Sequence, residues 1–268
     1  MVEFQRKDFY SYEDFLEIMR LLRAPGGCPW DREQTHGSIR RNFLEETYEV
    51  LDAIDHDDAN GMCEELGDVL MQVAFHAQIE AERGRFTMAD VVNGVAQKLV
   101  YRHPHVFGDV QADTSQQVLN NWEVLKRREK GQRSTADAVE SVPHTLPALW
   151  RAEKIQSKTA KAGFDWTSSL QALDKLEEEV RELRAALESG QAADAPHGVR
   201  EELGDTLFMA AKIAQMSGVD PEDALHRACD KFDRRFRAVE EAADKPLSEC
   251  GEAELLALWN DAKSHDPS

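Results

Sequence analysis

A pattern of acidic residues occurs twice in this chain and restricts its fold more than any other feature. Leu44-Glu45-Glu46-Thr47-Tyr48-Glu49-Val50 precedes Glu64-Glu65-Leu66-Gly67-Asp68-Val69-Leu70, and Leu176-Glu177-Glu178-Glu179-Val180-Arg181-Glu182 precedes Glu201-Glu202-Leu203-Gly204-Asp205-Thr206-Leu207. Each copy is Glu-Glu-x-x-Glu, a gap, then Glu-x-x-Asp. Residues three apart on a helix are neighbours, so Glu179 and Glu182 present their carboxylates together, as do Glu202 and Asp205. A short connection makes the two helices antiparallel neighbours, which gathers the four acids into one cluster. At about 100° per residue, Glu179 and Glu202 border the apolar stripe of their helices. Glu46, Glu49, Glu65 and Asp68 repeat the arrangement in the first half.

One Glu-Glu-x-x-Glu run alone would be an ordinary solvated helix face. Two runs, each followed by Glu-Leu-Gly-Asp, are not. Like charges about 5 Å apart repel by about 3 kcal/mol per pair at an effective dielectric of about 20, so the cluster calls for a cation. All-oxygen ligands select Mg²⁺, Mn²⁺ or Ca²⁺ over zinc. Mg²⁺ keeps positions for water and phosphate oxygens, which points to phosphate chemistry with Mn²⁺ as a substitute. A di-iron redox bundle needs Glu-x-x-His on two helices, and these runs contain none. There is also no Gly-x-x-x-x-Gly-Lys-Ser/Thr loop to cradle phosphates.

Helical periodicity covers most of the remaining chain. Ser11 is the expected N-cap of a first helix, which the loop Pro25-Gly26-Gly27-Cys28-Pro29-Trp30 ends. Further helices are expected over about Ile39 to Ile54, Asn60 to Arg83 (apolar at Met62, Leu66, Val69, Leu70, Val73 and Ala77, with Gly84 as C-cap), Met88 to Arg102 and Val118 to Arg128. Residues 129–147 are polar and hold Gly131, Pro143 and Pro147, so they are read as a linker. The order then repeats, with Leu149 to Lys161, the loop Ala162 to Trp166, the two carboxylate helices, a helix from Pro221 at N1 through Phe236, and a last one over Glu252 to Lys263. The fold class is all-α, with two tandem helical-bundle domains over 1–128 and 148–268.

The chain has 268 residues and a net charge of −19. That charge repels phosphate backbones and anionic lipid, so neither nucleic acid nor membrane is an expected partner. No apolar run approaches a membrane span, and Met1 to Tyr10 lacks a signal core. Cys28, Cys63, Cys229 and Cys250 are scattered, which suits a reducing cytoplasm.

These stretches together resemble the MazG family of all-α nucleoside triphosphate pyrophosphohydrolases over nearly the whole chain. The resemblance is carried by Gly27-Cys28-Pro29-Trp30-Asp31, Leu44 to Ile54, Glu65-Leu66-Gly67-Asp68, Arg102-His103-Pro104-His105-Val106-Phe107, Gly163-Phe164-Asp165-Trp166 and Lys231-Phe232-Asp233-Arg234-Arg235-Phe236. It implies Mg²⁺-dependent hydrolysis of a nucleoside triphosphate to the monophosphate and pyrophosphate by a homodimer, with catalysis in the C-terminal domain.

In this reading Glu179, Glu182, Glu202 and Asp205 are catalytic and hold Mg²⁺, and Glu46, Glu49, Glu65 and Asp68 form a second metal set. Lys175 lies one turn before Glu179, Lys231 one turn before Arg235, and Trp259 one turn before Lys263. With Arg200 they are the expected nucleotide contacts, the cations on phosphate and Trp259 stacked on a base or packed in the bundle. The first half repeats two of these pairs as Lys98 with Arg102 and Trp122 with Lys126, but has Asn42 where the second has Lys175. The N-terminal site is therefore expected to be the weaker one. His103 and His105 read as turn residues or a domain contact in preference to metal ligands. The alternative function is a nucleotide-binding regulatory or interaction module without turnover.

Overall fold

The computed structural model describes residues 2–129, 131–190 and 192–266, and all regular structure among them is helical. The chain divides into two compact units, Met1–Lys126 and Arg127–Ser268. No helix among the described residues is long and apolar enough to cross a membrane.

The first unit contains α1 (Tyr12–Arg23), α2 (Pro29–Glu33), α3 (Arg40–Asp55), α4 (Ala59–Glu82), α5 (Met88–Arg102), α6 (Pro104–Phe107) and most of α7 (Ser115–Glu129). Ser11 caps α1 as expected: its hydroxyl accepts the Asp14 N–H while the Asp14 carboxylate takes the Ser11 N–H. Gly84 adopts φ +67° beyond the end of α4 and returns its N–H to the Ala81 carbonyl. Helix α4 is the hub, packing against α1, α3 and α5. Met19, Ile39, Ala74, Phe75 and Ile79 form the core.

The apolar stripe expected on α4 merges two faces. Ala74, Phe75, Ala77 and Ile79 are buried, whereas Leu66 and Leu70 are 50% and 39% exposed. Helix α4 is apolar around much of its circumference, so periodicity alone does not separate a core face from an outward one.

The second unit contains α8 (Thr135–Glu140), α9 (Ala148–Ala160), α10 (Ser169–Ser189), α11 (Val199–Met216), α12 (Pro221–Ala242), a 3₁₀ turn at Leu247–Glu249 and α13 (Glu252–His265). Within residues 129–147, read as a linker, α8 is capped by Ser134, buries Ala138 and packs on α9. Helix α11 is the hub here, packing against α9, α10 and α12, and α13 packs on α12. In each unit the hub and the helix just before it carry the acidic repeat.

Candidate active site

Helices α10 and α11 bring Glu179, Glu202 and Asp205 together: one carboxylate oxygen from each lies within 4.8 Å of the others. Glu179 and Glu202 are 6% and 4% exposed, and Asp205 opens to solvent. The acids at the stripe's border are therefore inside the seam between the two helices. Glu182, one turn after Glu179, is outside this close group. Its carboxyl is nevertheless pushed up by burial and by the charges of Glu179, Glu202 and Glu178, against a downward pull from Lys175.

Lys175 does not stand free for a phosphate. Its ammonium donates to Glu178 Oε1 at 2.6 Å and lies 2.8 Å from Glu179 Oε1. These contacts push its own pKa well up, with the hydrogen bond to Glu178 leading and that to Glu179 second. The lysine is thus a built-in counter-ion for the central acid.

The first unit closes on a different trio. Glu46, Glu49 and Glu65 lie within 4.8 Å of one another, with Asp68 outside the close group. Without a lysine at position 42, the acids raise one another. Burial, a hydrogen bond with Glu49 and the charges of Asp68, Glu49 and Glu65 push Glu46 up; burial and then the charges of Glu49, Glu64 and Asp68 do the same to Glu65. The two sites share their acids and differ in how the charge is relieved.

The remaining expected contacts sit in other pairings. Arg235 donates to Asp266 Oδ2 at 2.8 Å, so it is held by the end of α13 rather than left open. Trp259 packs against Phe232, which stacks on Phe236, with ring centroids at 5.2 and 5.9 Å. Phe232 and Phe236 are 53% and 40% exposed, so this is an open aromatic surface on the α12–α13 seam, with Lys231 half-buried beside it. Arg200 pairs with Asp194, and Lys263 is exposed. In the first unit Trp122 is covered by Arg102 and Lys126 at 5.1 and 4.5 Å from the ring centroid. His103 donates through Nδ1 to the Leu99 carbonyl at the end of α5, which is a capping role.

Two groups had no signal in local spacing. Lys212 is 1% exposed, pairs with Asp165 at 2.5 Å and donates to Gln215 Oε1 at 2.7 Å; its ammonium lies 5.8 Å from the Trp166 ring centroid. It pins the loop that leads into α10. In the first unit His36 and His76 stack, with Nδ1 atoms 2.7 Å apart, and His36 Nε2 lies 2.5 Å from buried Glu80. A lysine ten residues after Glu202 or a histidine after a loop threonine is unremarkable in sequence.

Comparison with known proteins finds the same doubling of the chain. A family model described as the MazG nucleotide pyrophosphohydrolase domain matches residues 34–107 and 167–239, spanning both acidic pairs. A nucleoside triphosphate pyrophosphohydrolase of Escherichia coli (strain K12) is 46% identical over 226 residues, covering 84% of this chain and 85% of that protein. The nucleoside triphosphate pyrophosphohydrolase/pyrophosphatase MazG of Thermotoga maritima is 42% identical over 258 residues, covering 95% and 96%.

Proposed function

The chain belongs to the MazG nucleotide pyrophosphohydrolase family, and on that premise we propose that it cleaves nucleoside triphosphates between the α- and β-phosphates, releasing the monophosphate and pyrophosphate. The observation that carries this reading is the Glu179–Glu202–Asp205 oxygen cluster, with Glu179 and Glu202 buried and Asp205 open to solvent. Its donors fit a hard divalent cation, Mg²⁺ or in its place Mn²⁺, because three carboxylates converge and two of them are shielded from water. Bound there, the ion would supply Lewis-acid relief of charge on the triphosphate oxygens.

The chain's own residues divide the other tasks. Glu182, one turn after Glu179 and outside the close group of three, is the proton acceptor for the attacking water. Water oxygen bonds to the α-phosphorus, the bond to the bridging oxygen breaks, and pyrophosphate leaves with the electron pair. Lys175 lies against Glu179 and partly offsets its charge. Lys231, Arg235, Lys263 and Arg200 neutralise the triphosphate, with Arg235 and Arg200 exchanging the carboxylates of Asp266 and Asp194 for phosphate. The Trp259–Phe232–Phe236 surface takes the base by stacking.

A homodimer is part of the same reading. Leu44, Leu51, Leu66 and Leu70 in the first unit and Leu187, Leu203 and Leu207 in the second are more than a third exposed, apolar side chains on each unit that a second copy would cover. The free cysteines suit a cytoplasmic enzyme. The first unit, with acids but no lysine at position 42, fits the alternative role of a nucleotide-binding regulatory module. Pyrophosphate release measured with and without Mg²⁺ tests the assignment. Turnover should need the cation and vanish in the Glu182→Gln, Asp205→Asn double variant. Survival of turnover there removes the second unit as the catalyst, and an equal loss from Glu49→Gln would assign catalysis to both units.

A further inference from the structure

The first unit holds a buried carboxamide where the second holds a thioether. Gln72 lies on α4 seven residues after Glu65, and its counterpart on α11, seven residues after Glu202, is Met209. Both side chains are enclosed, at 6% and 4% exposure. Met209 needs no polar partner, whereas Gln72 Oε1 is shut off from solvent and no donor among the described residues reaches it. A buried carbonyl oxygen without a donor is costly, so its place in the fold needs a reason.

Gln72 sits in the seam between α3 and α4, on the same face as the acids. At about 100° per residue it falls about 20° from Glu65 and about 40° from Asp68 and His76 around α4. Glu65 meets Glu49 of α3 on one side of it. His76 meets Phe43 of α3 on the other, with ring centroids 5.9 Å apart. The helix register is fixed at Gly61, where a Cβ would lie 3.6 Å from the Cβ of Ala53. Eleven residues forward along α4 and eleven back along α3 from that pair stand Gln72 and Asn42, which therefore face each other. Asn42 is half-buried and, among the described residues, its side chain has no hydrogen bond either. The matching pair in the second unit is Met209 and Lys175, the latter engaged by Glu178 and Glu179. Two neutral carboxamides thus stand one turn from the acids of the first unit only.

We propose that Gln72 and Asn42 are the base-reading end of a nucleotide site in the first unit, whose phosphates lie on a cation at Glu46, Glu49 and Glu65. A phosphate carries acceptors alone and leaves Gln72 Oε1 unmet. A carboxamide sets an acceptor beside a donor, which complements the edge of a nucleobase with its ring N–H or amino group. Gln72 is about 10 Å along the α4 axis from Glu65, which leaves room for a sugar between base and phosphates. The proposal rests on the reading of the first unit as a nucleotide-binding module and adds which part of the nucleotide these residues distinguish.

The test is calorimetric titration of the full chain in Mg²⁺ with the α,β-methylene analogues of ATP, GTP, CTP and UTP, and with inorganic tripolyphosphate, which lacks a base. Glu49→Gln identifies the binding phase of the first unit by removing it. Gln72→Met, which keeps the volume and removes the acceptor, should weaken that phase about tenfold for at least one nucleotide. It should leave tripolyphosphate and the phase of the second unit unchanged. Asn42→Ala should act in the same direction, and it carries the test if Gln72→Met fails to fold. A first-unit phase that neither variant weakens for any nucleotide, or that weakens as much for tripolyphosphate, overturns the base contact and leaves the nucleotide reading standing. Absence of a first-unit phase with every probe overturns that reading as well.

Discussion

The ammonium of Lys175 lies 2.8 Å from Glu179 Oε1, one helical turn away, and the first unit has Asn42 at the matching place. One unit therefore carries a fixed positive charge inside its acid cluster and the other does not. Removing that charge by Lys175→Asn should convert the second site towards the first. A charge-assisted hydrogen bond contributes about 1.5–3 kcal/mol, so kcat/KM is expected to fall by roughly tenfold or more. Lys175 also pulls the Glu182 carboxyl down, so its loss lets that carboxyl rise. The acidic limb of the kcat/KM profile should then move to higher pH. An unmoved limb with lower activity would leave Lys175 a purely structural role.

The first unit makes a prediction for the metal-free protein. Glu46 and Glu65 are raised above the usual carboxylate range, burial leading in both. A carboxylate raised by folding binds protons more tightly in the native state, so its contribution is present below about 4.5 and is lost as pH rises through the raised value. In a chelator at pH 7 these acids repel with no proton or ion between them. Glu46→Gln should raise the melting temperature there by a few degrees, while saturating Mg²⁺ or Mn²⁺ should stabilise wild type and barely affect the variant. Destabilisation by Glu46→Gln in the chelator would contradict the mutual repulsion.

What could be read from the chain was what repeats at short range. Periodicity placed the acid-bearing helices of the first half within a residue or so of α3 and α4, and the border position of Glu179 and Glu202 on their stripes anticipated their burial. Relations across the fold left no such trace. Arg235 meets Asp266 and Lys212 meets Asp165 because separate helices and loops converge, and neither spacing corresponds to a helical turn. The same limit explains Glu182 and Asp68. Spacing puts each on the correct turn, but side-chain direction across the helix pair decides which three acids close together.

His36 and His76 make the first unit sensitive to acid. Burial and then the neighbouring His36 hold His76 below the usual imidazole range. A base depressed by folding favours the native state above its unfolded value, so this contribution is present above about 6.5 and declines as pH falls below it. Glu80 is lowered, its hydrogen bond with His36 leading, and Arg83 and Arg85 also face it. Amide exchange near the end of α4 should therefore accelerate as pH falls below about 6.5, where a proton on His76 puts a charge inside the stacked pair that unfolding relieves. His76→Phe, beside the edge of Phe43, should flatten that dependence. An unchanged pH response in the variant would clear this pair of the effect.

Lys212 and Asp165 predict an order of severity opposite to intuition about residue size. Lys212 is enclosed, while the Asp165 side chain is 29% exposed. Asp165→Asn leaves a buried ammonium with weaker compensation, and breaking such a pair from one side costs about 3 kcal/mol or more. Lys212→Met leaves the carboxylate facing water and fills the space with apolar volume, at a cost of about 1 kcal/mol or less. Urea unfolding of the full chain, followed by far-ultraviolet circular dichroism against wild type, measures both. The smaller chemical change should cause the larger loss, and it should loosen the loop entering α10 and with it the seat of Glu179. If Lys212→Met proved the more damaging, the lysine would owe its place to contacts with Gln215 and Trp166 rather than to Asp165.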